Sequence, residues 1–295
     1  MTTTQQLSEN AQRGVAYTVL AALLFGVNGA VAADLVRVIP AGNIAQLRSV
    51  LAALVLGLIA YRRRAMATGG RLLALAGFGL ILAIVTVSFF VAISRLGVGP
   101  GVTIQFSGPV LVLCWMRLVN KRPVPMIAWL AAVVALAGVA LVSGAPEFGR
   151  LDPLGLVAAA IAATSFAAYI ILSGFLGRSL PTITIAAYGF SFSGLFLLAA
   201  FRVVLPPATP RILIEGIWLV LLGTVVPFLL EVAALRMTDP GTVGVVATLE
   251  PVVAATAAWW WLEQSLAPLQ VFGGLLVVGA VARIQRYSSR PPLGI

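Results

Sequence analysis

The sequence contains no histidine and a single cysteine, and only 9% of its 295 residues are charged. The missing imidazoles remove histidine metal sites, histidine acid–base chemistry and every Ser-His-Asp arrangement. The lone Cys114 lies in an apolar run and can form neither an intrachain disulfide nor a cysteine metal cluster. Lysine is almost missing too: Lys121 is the one lysine, and the rest of the basic set is arginine. No acidic pair stands at a metal-ligating spacing. These gaps argue against a membrane-embedded enzyme, and no metal or cofactor is expected. A soluble domain carries about a quarter charged residues, so this chain could not cover a water-facing surface with polar groups.

What is present is apolar. The composition is 61% hydrophobic, with a mean hydropathy of +1.07. Long apolar runs recur from end to end, each able to cross a hydrocarbon core, which takes about 20 helical residues. The fold class expected is an all-α membrane protein of ten transmembrane helices. Their expected positions are 14–35, 44–61, 72–94, 99–118, 125–143, 154–176, 182–204, 211–235, 241–262 and 267–285. Proline and glycine punctuate the breaks, as at Pro40, Gly69-Gly70, Gly97, Pro123, Pro146, Pro181, Pro206-Pro207, Pro240 and Pro268. Ala30-Val-Ala32 resembles a signal-peptidase site, but the run from Gly14 to Ala33 exceeds the usual 7–15-residue signal core, so the first helix is expected to stay.

The net charge of +10 does not point to nucleic acid. The basic residues stand singly or in small clusters between apolar runs, as on the cytoplasmic face of a membrane protein. With a cytoplasmic N-terminus, 13 of the 19 basic residues fall on the cytoplasmic side, Arg62, Arg63 and Arg64 among them. The six on the other side are Arg37, Arg48, Arg95, Arg150, Arg202 and Arg211. Both termini are therefore expected in the cytoplasm. Trp259, Trp260 and Trp261 are expected as interface anchors at the outer end of the ninth helix.

The chain repeats itself at an offset near 140 residues. Gly14 and Gly155 open apolar helices, and Phe25 and Phe166 follow eleven residues later. Pro109-Val-Leu matches Pro251-Val-Val, Pro100-Gly101 matches Pro240-Gly241, and Gly138 matches Gly279. Five helices per unit is an odd number, so the second unit enters the membrane from the opposite side. Such inverted repeats form two bundles that exchange access around a shared midplane site. The expected organisation is a cytoplasmic tail over 1–13, repeats over 14–145 and 150–286, and a second tail over 287–295.

Several residues carry a resemblance. Leu24-Phe25-Gly26-Val-Asn28, Arg48, Ala247-Thr-Leu-Glu250-Pro251, Trp261-Leu262-Glu263 and Gln270-Val-Phe-Gly-Gly274 are similar to motifs of the drug/metabolite transporter superfamily, in its ten-helix EamA-type exporter family. The likeness covers about residues 14–285. The first repeat departs from the pattern, with Gly108 before Pro109 where an acid would stand and Lys121 in the place of Glu263. The resemblance implies a secondary transporter of a bacterial inner (plasma) membrane that exports small metabolites, in the branch of neutral and aromatic amino-acid exporters. It also implies a cavity lined by the first, third, fourth, sixth, eighth and ninth helices. The partners implied are a small-molecule substrate and the lipid bilayer, with no nucleic acid. The oligomeric state stays open and a monomer is compatible. Export of other hydrophobic metabolites or drugs, and a channel or lipid-scrambling protein, are the alternatives.

Embedded polar and aromatic residues are the site candidates. A carboxylate at mid-depth is costly, which makes Glu250 a functional candidate, with Glu231 nearer the helix end. Asn28, Gln105 and Ser107 are uncharged polar groups in apolar surroundings, open to helix-to-helix bonding or cavity lining. Tyr169 aligns with Asn28 across the repeat. Phe25, Phe89, Phe90, Phe106, Phe166 and Tyr188 could line an aromatic pocket. Pro109 and Pro251 lack an N–H and are candidate hinges. Arg48 is expected near the outer boundary as a gating residue, with Asp34 or Glu263 as ion-pair partner.

Overall fold

The computed structural model describes residues 3–35, 38–144, 152–261 and 265–288. Ten helical spans follow one another: α1 Thr3–Leu35, α2 Ala41–Arg62, α3 Leu72–Leu96, α4 in two pieces (Val98–Gln105 and Gly108–Leu118) and α5 Met126–Val142. The second five are α6 Pro153–Gly177, α7 Thr182–Ala200, α8 Pro210–Ala234, α9 in two pieces (Pro240–Ala247 and Leu249–Trp261) and α10 Pro268–Ser288. Eight of these are long and apolar enough to cross a membrane, and α5 is apolar but only 17 residues long. Glu147, Pro146, Arg37, Arg150, Glu263 and Arg290 lie outside the described residues.

The starts of three helices in the second half share one chemistry. Asp152, Thr209 and Asp239 each accept a bond from a first-turn N–H, and each is followed by proline. Proline at the first helical position loses no bond that the helix would have made, and the side-chain cap satisfies a free donor. Arg95, at the end of α3, reaches the capping Asp152 carboxylate at 2.7 Å and holds it below the usual carboxylate range. Gly97 joins α3 to α4 at φ +85°, a conformation that favours glycine.

Proline also breaks helices from within. Pro109 cannot donate to the carbonyl of Gln105, nor Pro251 to that of Ala247, and α4 and α9 are each interrupted at these points. Continuous helices over 99–118 and 241–262 were expected; the two breaks stand at equivalent places in the repeats. In α8, Pro227 deprives Gly223 in the same way, and residues Leu221–Val225 widen into a π-helical turn. Val226 N–H bonds back five residues to Leu221, and the Thr224 hydroxyl donates to the Leu219 carbonyl at 2.8 Å. The first helix also differs from expectation. It starts at Thr3, because no proline or glycine interrupts the chain before Gly14, so the expected tail is largely helical.

Packing follows the inverted repeat. The second helices, α2 and α7, lie along each other, as do the fifth helices, α5 and α10; α3 against α6 is mirrored by α8 against α1. The α2–α7 seam is polar inside: Ser49 and Ser193 hydroxyls meet at 3.3 Å, and Gln46 Nε2 donates to the Leu197 and Phe201 carbonyls. Such groups hold helices together where the hydrophobic effect cannot. At the α5–α10 seam, Gln270 Nε2 donates to the Val142 carbonyl at the end of α5, and Gly273 lets the backbones close in.

Candidate substrate-binding cavity

The residues of α1 that share a face, Thr18, Ala21, Ala22, Phe25, Asn28, Gly29 and Ala32, line a central cavity of about 200 Å³. Across from them stands the α3 stripe Leu82, Val85, Thr86, Phe89 and Phe90, at the spacing of one helical face. Gln105 enters from the break in α4 and Ala247 from the equivalent break in α9. Phe166 and Tyr169 come from α6, Phe228 and Glu231 from α8, Glu250 from α9 and Arg48 from α2. The expected six helices therefore do surround the hollow, and α2 adds an arginine.

Aromatic rings form much of the wall. Phe25 meets Phe228 edge-on at 5.1 Å, and Phe228 meets Tyr169 edge-on at 5.7 Å. Tyr169 stacks on Phe166 on one side and on Phe78 on the other. Beyond Tyr169, Phe78, Leu75, Leu176 and Leu235 pack into one buried cluster. Side chains thus fill the bundle between the cavity and the end that carries Arg178 and Arg236. Toward the opposite end Gly29 is exposed and Phe89 and Phe90 are half-buried.

The polar groups are few and placed. Tyr169 Oη donates to Glu231 Oε2 at 3.0 Å. Arg48 Nη2 donates to the Thr86 hydroxyl at 3.3 Å, which ties α2 to α3. Arg48 and Glu250 interact electrostatically, and Glu250 also feels the Glu231 carboxylate. Gly26 lets α1 approach α9 at this level, since an added Cβ would sit 2.8 Å from the Glu250 carbonyl. Asn28 is buried against Gly223 of the π-helical turn, and among the described residues neither its Oδ1 nor Gln105 Oε1 has a hydrogen-bond partner. One guanidinium and two carboxylates in an apolar hollow can hold a small molecule that bears both signs of charge.

Ten expected site residues line this cavity: Phe25, Asn28, Arg48, Phe89, Phe90, Gln105, Phe166, Tyr169, Glu231 and Glu250. Three others do not. Phe106 is 3% exposed and packs one layer behind, against Phe166 and the α5–α10 core. Ser107 turns its hydroxyl onto the Ile104 carbonyl at the helix break. Tyr188 points away, donating to the Met66 carbonyl in the α2–α3 connection. Among the described residues Arg48 forms no ion pair with Asp34, which is bonded to Arg211; the other expected partner, Glu263, lies outside the described residues. Pro109 packs against Gly244 where α4 crosses α9, and Pro251 is buried directly after Glu250. The sequence reading missed Thr18, Thr86 and Phe228. Thr86 completes the stripe already marked by Phe89 and Phe90, three and four residues on, so helical spacing could have found it.

Two stretches, residues 12–144 and 153–285, each match the model of the EamA-like transporter family. The chain belongs to the EamA-like transporter family. The two matched stretches coincide with the two five-helix units. Among curated relatives, the uncharacterized transporter YwfM of Bacillus subtilis is 28% identical over 67% of this chain and 70% of its own length. Protein PecM of Dickeya dadantii is 26% identical over 68% and 69%. The threonine/homoserine exporter RhtA of Escherichia coli K12 is 25% identical over 69% of this chain and 66% of its own. One crystal structure superposes with a TM-score of 0.79, covering 93% of this chain and 97% of that one at 17% identity, a likeness of fold.

Proposed function

We propose that this EamA-family protein is a secondary exporter, not an enzyme, for small zwitterionic metabolites, above all neutral and aromatic amino acids. The observation that carries the reading is the placement of Arg48 with Glu250 and Glu231 in one aromatic-walled cavity. Arg48 would take the substrate carboxylate, the two glutamates its ammonium group, and Phe25, Phe89, Phe166 and Phe228 its side chain. A polyanion such as a sugar phosphate fits badly, because one guanidinium facing two carboxylates leaves the extra buried charge unpaired. The name of RhtA, an exporter of threonine and homoserine, agrees with this class.

Transport would proceed by alternating access of the repeats, placed at 14–145 and 150–286, with Pro109 and Pro251 as hinges. The arginine asymmetry supports cytoplasmic termini in a bacterial inner membrane. The cavity is then open toward the outside and closed beneath Tyr169. Purified protein in proteoliposomes should show saturable counterflow of a radiolabelled neutral amino acid. Phenylalanine, threonine and homoserine should compete, whereas sugar phosphates and dicarboxylates should not. Competition by the anions alone would overturn the substrate class, and flux without saturation would favour a channel.

A further inference from the structure

The end of the bundle that carries Arg62–Arg64 holds a second hollow, of about 840 Å³, which shares no lining residue with the central cavity. Three arginines from three different connections converge on it: Arg122 after α4, Arg178 after α6 and Arg236 after α8. None of them forms an ion pair with a described carboxylate. The ion pairs among the described residues are Arg95–Asp152, Arg211–Asp34 and Arg211–Glu215, all at the other end. Among the described residues, the one carboxylate lining the hollow is Asp239, and it is engaged as the cap of α9. Its Oδ1 accepts from Thr242 N at 2.9 Å and its Oδ2 from the Thr242 hydroxyl at 2.5 Å. Arg236 donates to the Thr182 hydroxyl at 3.4 Å.

Orientation signals alone do not explain this arrangement. The positive-inside rule requires arginines on one face, and scattered ones would serve. Gathering three guanidiniums in one concavity costs repulsion unless an anion fills it. The surroundings say which kind. Trp115 and Phe175 line the hollow and are 42% and 50% exposed, on a chain whose flank faces hydrocarbon. Arg71 sits over the Phe175 ring at 5.4 Å, adding a fourth cation at the rim. A soluble phosphate would have no use for these apolar walls, whereas a lipid has both a phosphate and chains beside it. Basic pockets between transmembrane helices hold anionic headgroups in this way. We infer that this hollow is a binding site for the phosphate headgroup of an anionic phospholipid, held by Arg122, Arg178 and Arg236 with its chains against Trp115 and Phe175. The site stands apart from the transport reading.

The test uses the full-length protein in a neutral detergent, titrated with cardiolipin, phosphatidylglycerol, phosphatidylcholine or inorganic phosphate. Retained lipid is read by native mass spectrometry and stability by thermal unfolding. The anionic lipids should bind and raise the unfolding midpoint, and phosphatidylcholine and inorganic phosphate should not. Each of Arg122→Gln, Arg178→Gln and Arg236→Gln should weaken anionic-lipid binding about fivefold. Arg62→Gln, which changes an arginine outside the hollow, should leave it unchanged. Equal binding of phosphatidylcholine would overturn the inference, as would an Arg62→Gln effect equal to the others. A midpoint rise with inorganic phosphate alone would also overturn it and point to a soluble anion. Single substitutions keep the fold, since all three arginines are exposed.

Discussion

Tyr169 Oη donates to Glu231 Oε2 at 3.0 Å, with the two residues 2% and 5% exposed. The bond joins α6 to α8 at the closed side of the cavity. Tyr169→Phe leaves a buried carboxylate short of a donor, which costs about 1–3 kcal/mol. The variant should unfold at a lower temperature and transport more slowly. Glu231→Gln, by contrast, keeps an acceptor for the tyrosine and should fold normally while losing transport. The double variant should be less destabilised than the sum of the singles. Thermal unfolding together with counterflow separates these outcomes; a Tyr169→Phe protein as stable as the wild type would show that the bond contributes little.

Arg48 faces the cavity where a substrate carboxylate would sit. Removing a charge-assisted hydrogen bond costs about 1.5–3 kcal/mol, or about tenfold to a hundredfold in affinity. Arg48→Gln should therefore raise the KM for a neutral amino acid by about that factor. Arg48→Lys should recover only part, because an ammonium lacks the planar fork of the guanidinium. The sharper check is an amine analogue without the carboxylate. It should compete poorly in the wild type and as well as the amino acid in Arg48→Gln. Equal competition in the wild type would remove Arg48 from the recognition scheme.

Gly138 and Gly273 hold α5 and α10 together. A Cβ on either would stand 2.7 Å from the carbonyl oxygen of the other, a backbone atom that cannot give way. Alanine at either position should push the helices apart and destabilise the protein by about 1–3 kcal/mol. Gly279→Ala is the control. A Cβ there meets nothing within 4 Å, and alanine favours the helix, so stability should hold or rise. Unfolding of the purified variants decides between these, and an indifferent Gly138→Ala would show that the seam has slack.

Helix positions were legible because Pro and Gly punctuate nearly every break in this sequence, and the repeat followed from matched spacing. Depth was less legible. Arg48 lies seven residues beyond Ala41 in α2, which places it about 10 Å from the helix start at 1.5 Å per residue. That depth permits snorkelling, but the direction of the side chain depends on where α3 supplies Thr86, and periodicity in α2 alone does not encode that. Tyr188 shows the reverse error: its hydroxyl finds a backbone carbonyl in a loop distant in sequence. Gly138 was matched to Gly279 by repeat arithmetic, yet its contact is Gly273, because helices related by symmetry need not meet at equivalent residues. The π-helical turn had signals in Gly223, Thr224 and Pro227, but the same residues also occur in plain bent helices.

Gly223 sits so close to the Asn28 carboxamide that no side chain fits between them, and this is where α8 leaves regular geometry beside α1. Gly223→Ala must displace either Asn28 or the turn, so it should lower the unfolding midpoint and impair transport. Asn28→Ala should cost little stability, since it removes a buried acceptor with no partner. If Asn28 touches substrate, that variant should nonetheless transport poorly. The two changes then couple. Asn28→Ala opens the space that a Gly223→Ala methyl needs, so the double variant should regain most of the lost stability but not the lost transport. A double-mutant cycle on both readouts tests this. Additive losses of stability would mean that Gly223 serves the turn and not the contact. Wild-type transport in Asn28→Ala would take Asn28 out of the substrate site while leaving its packing role in place.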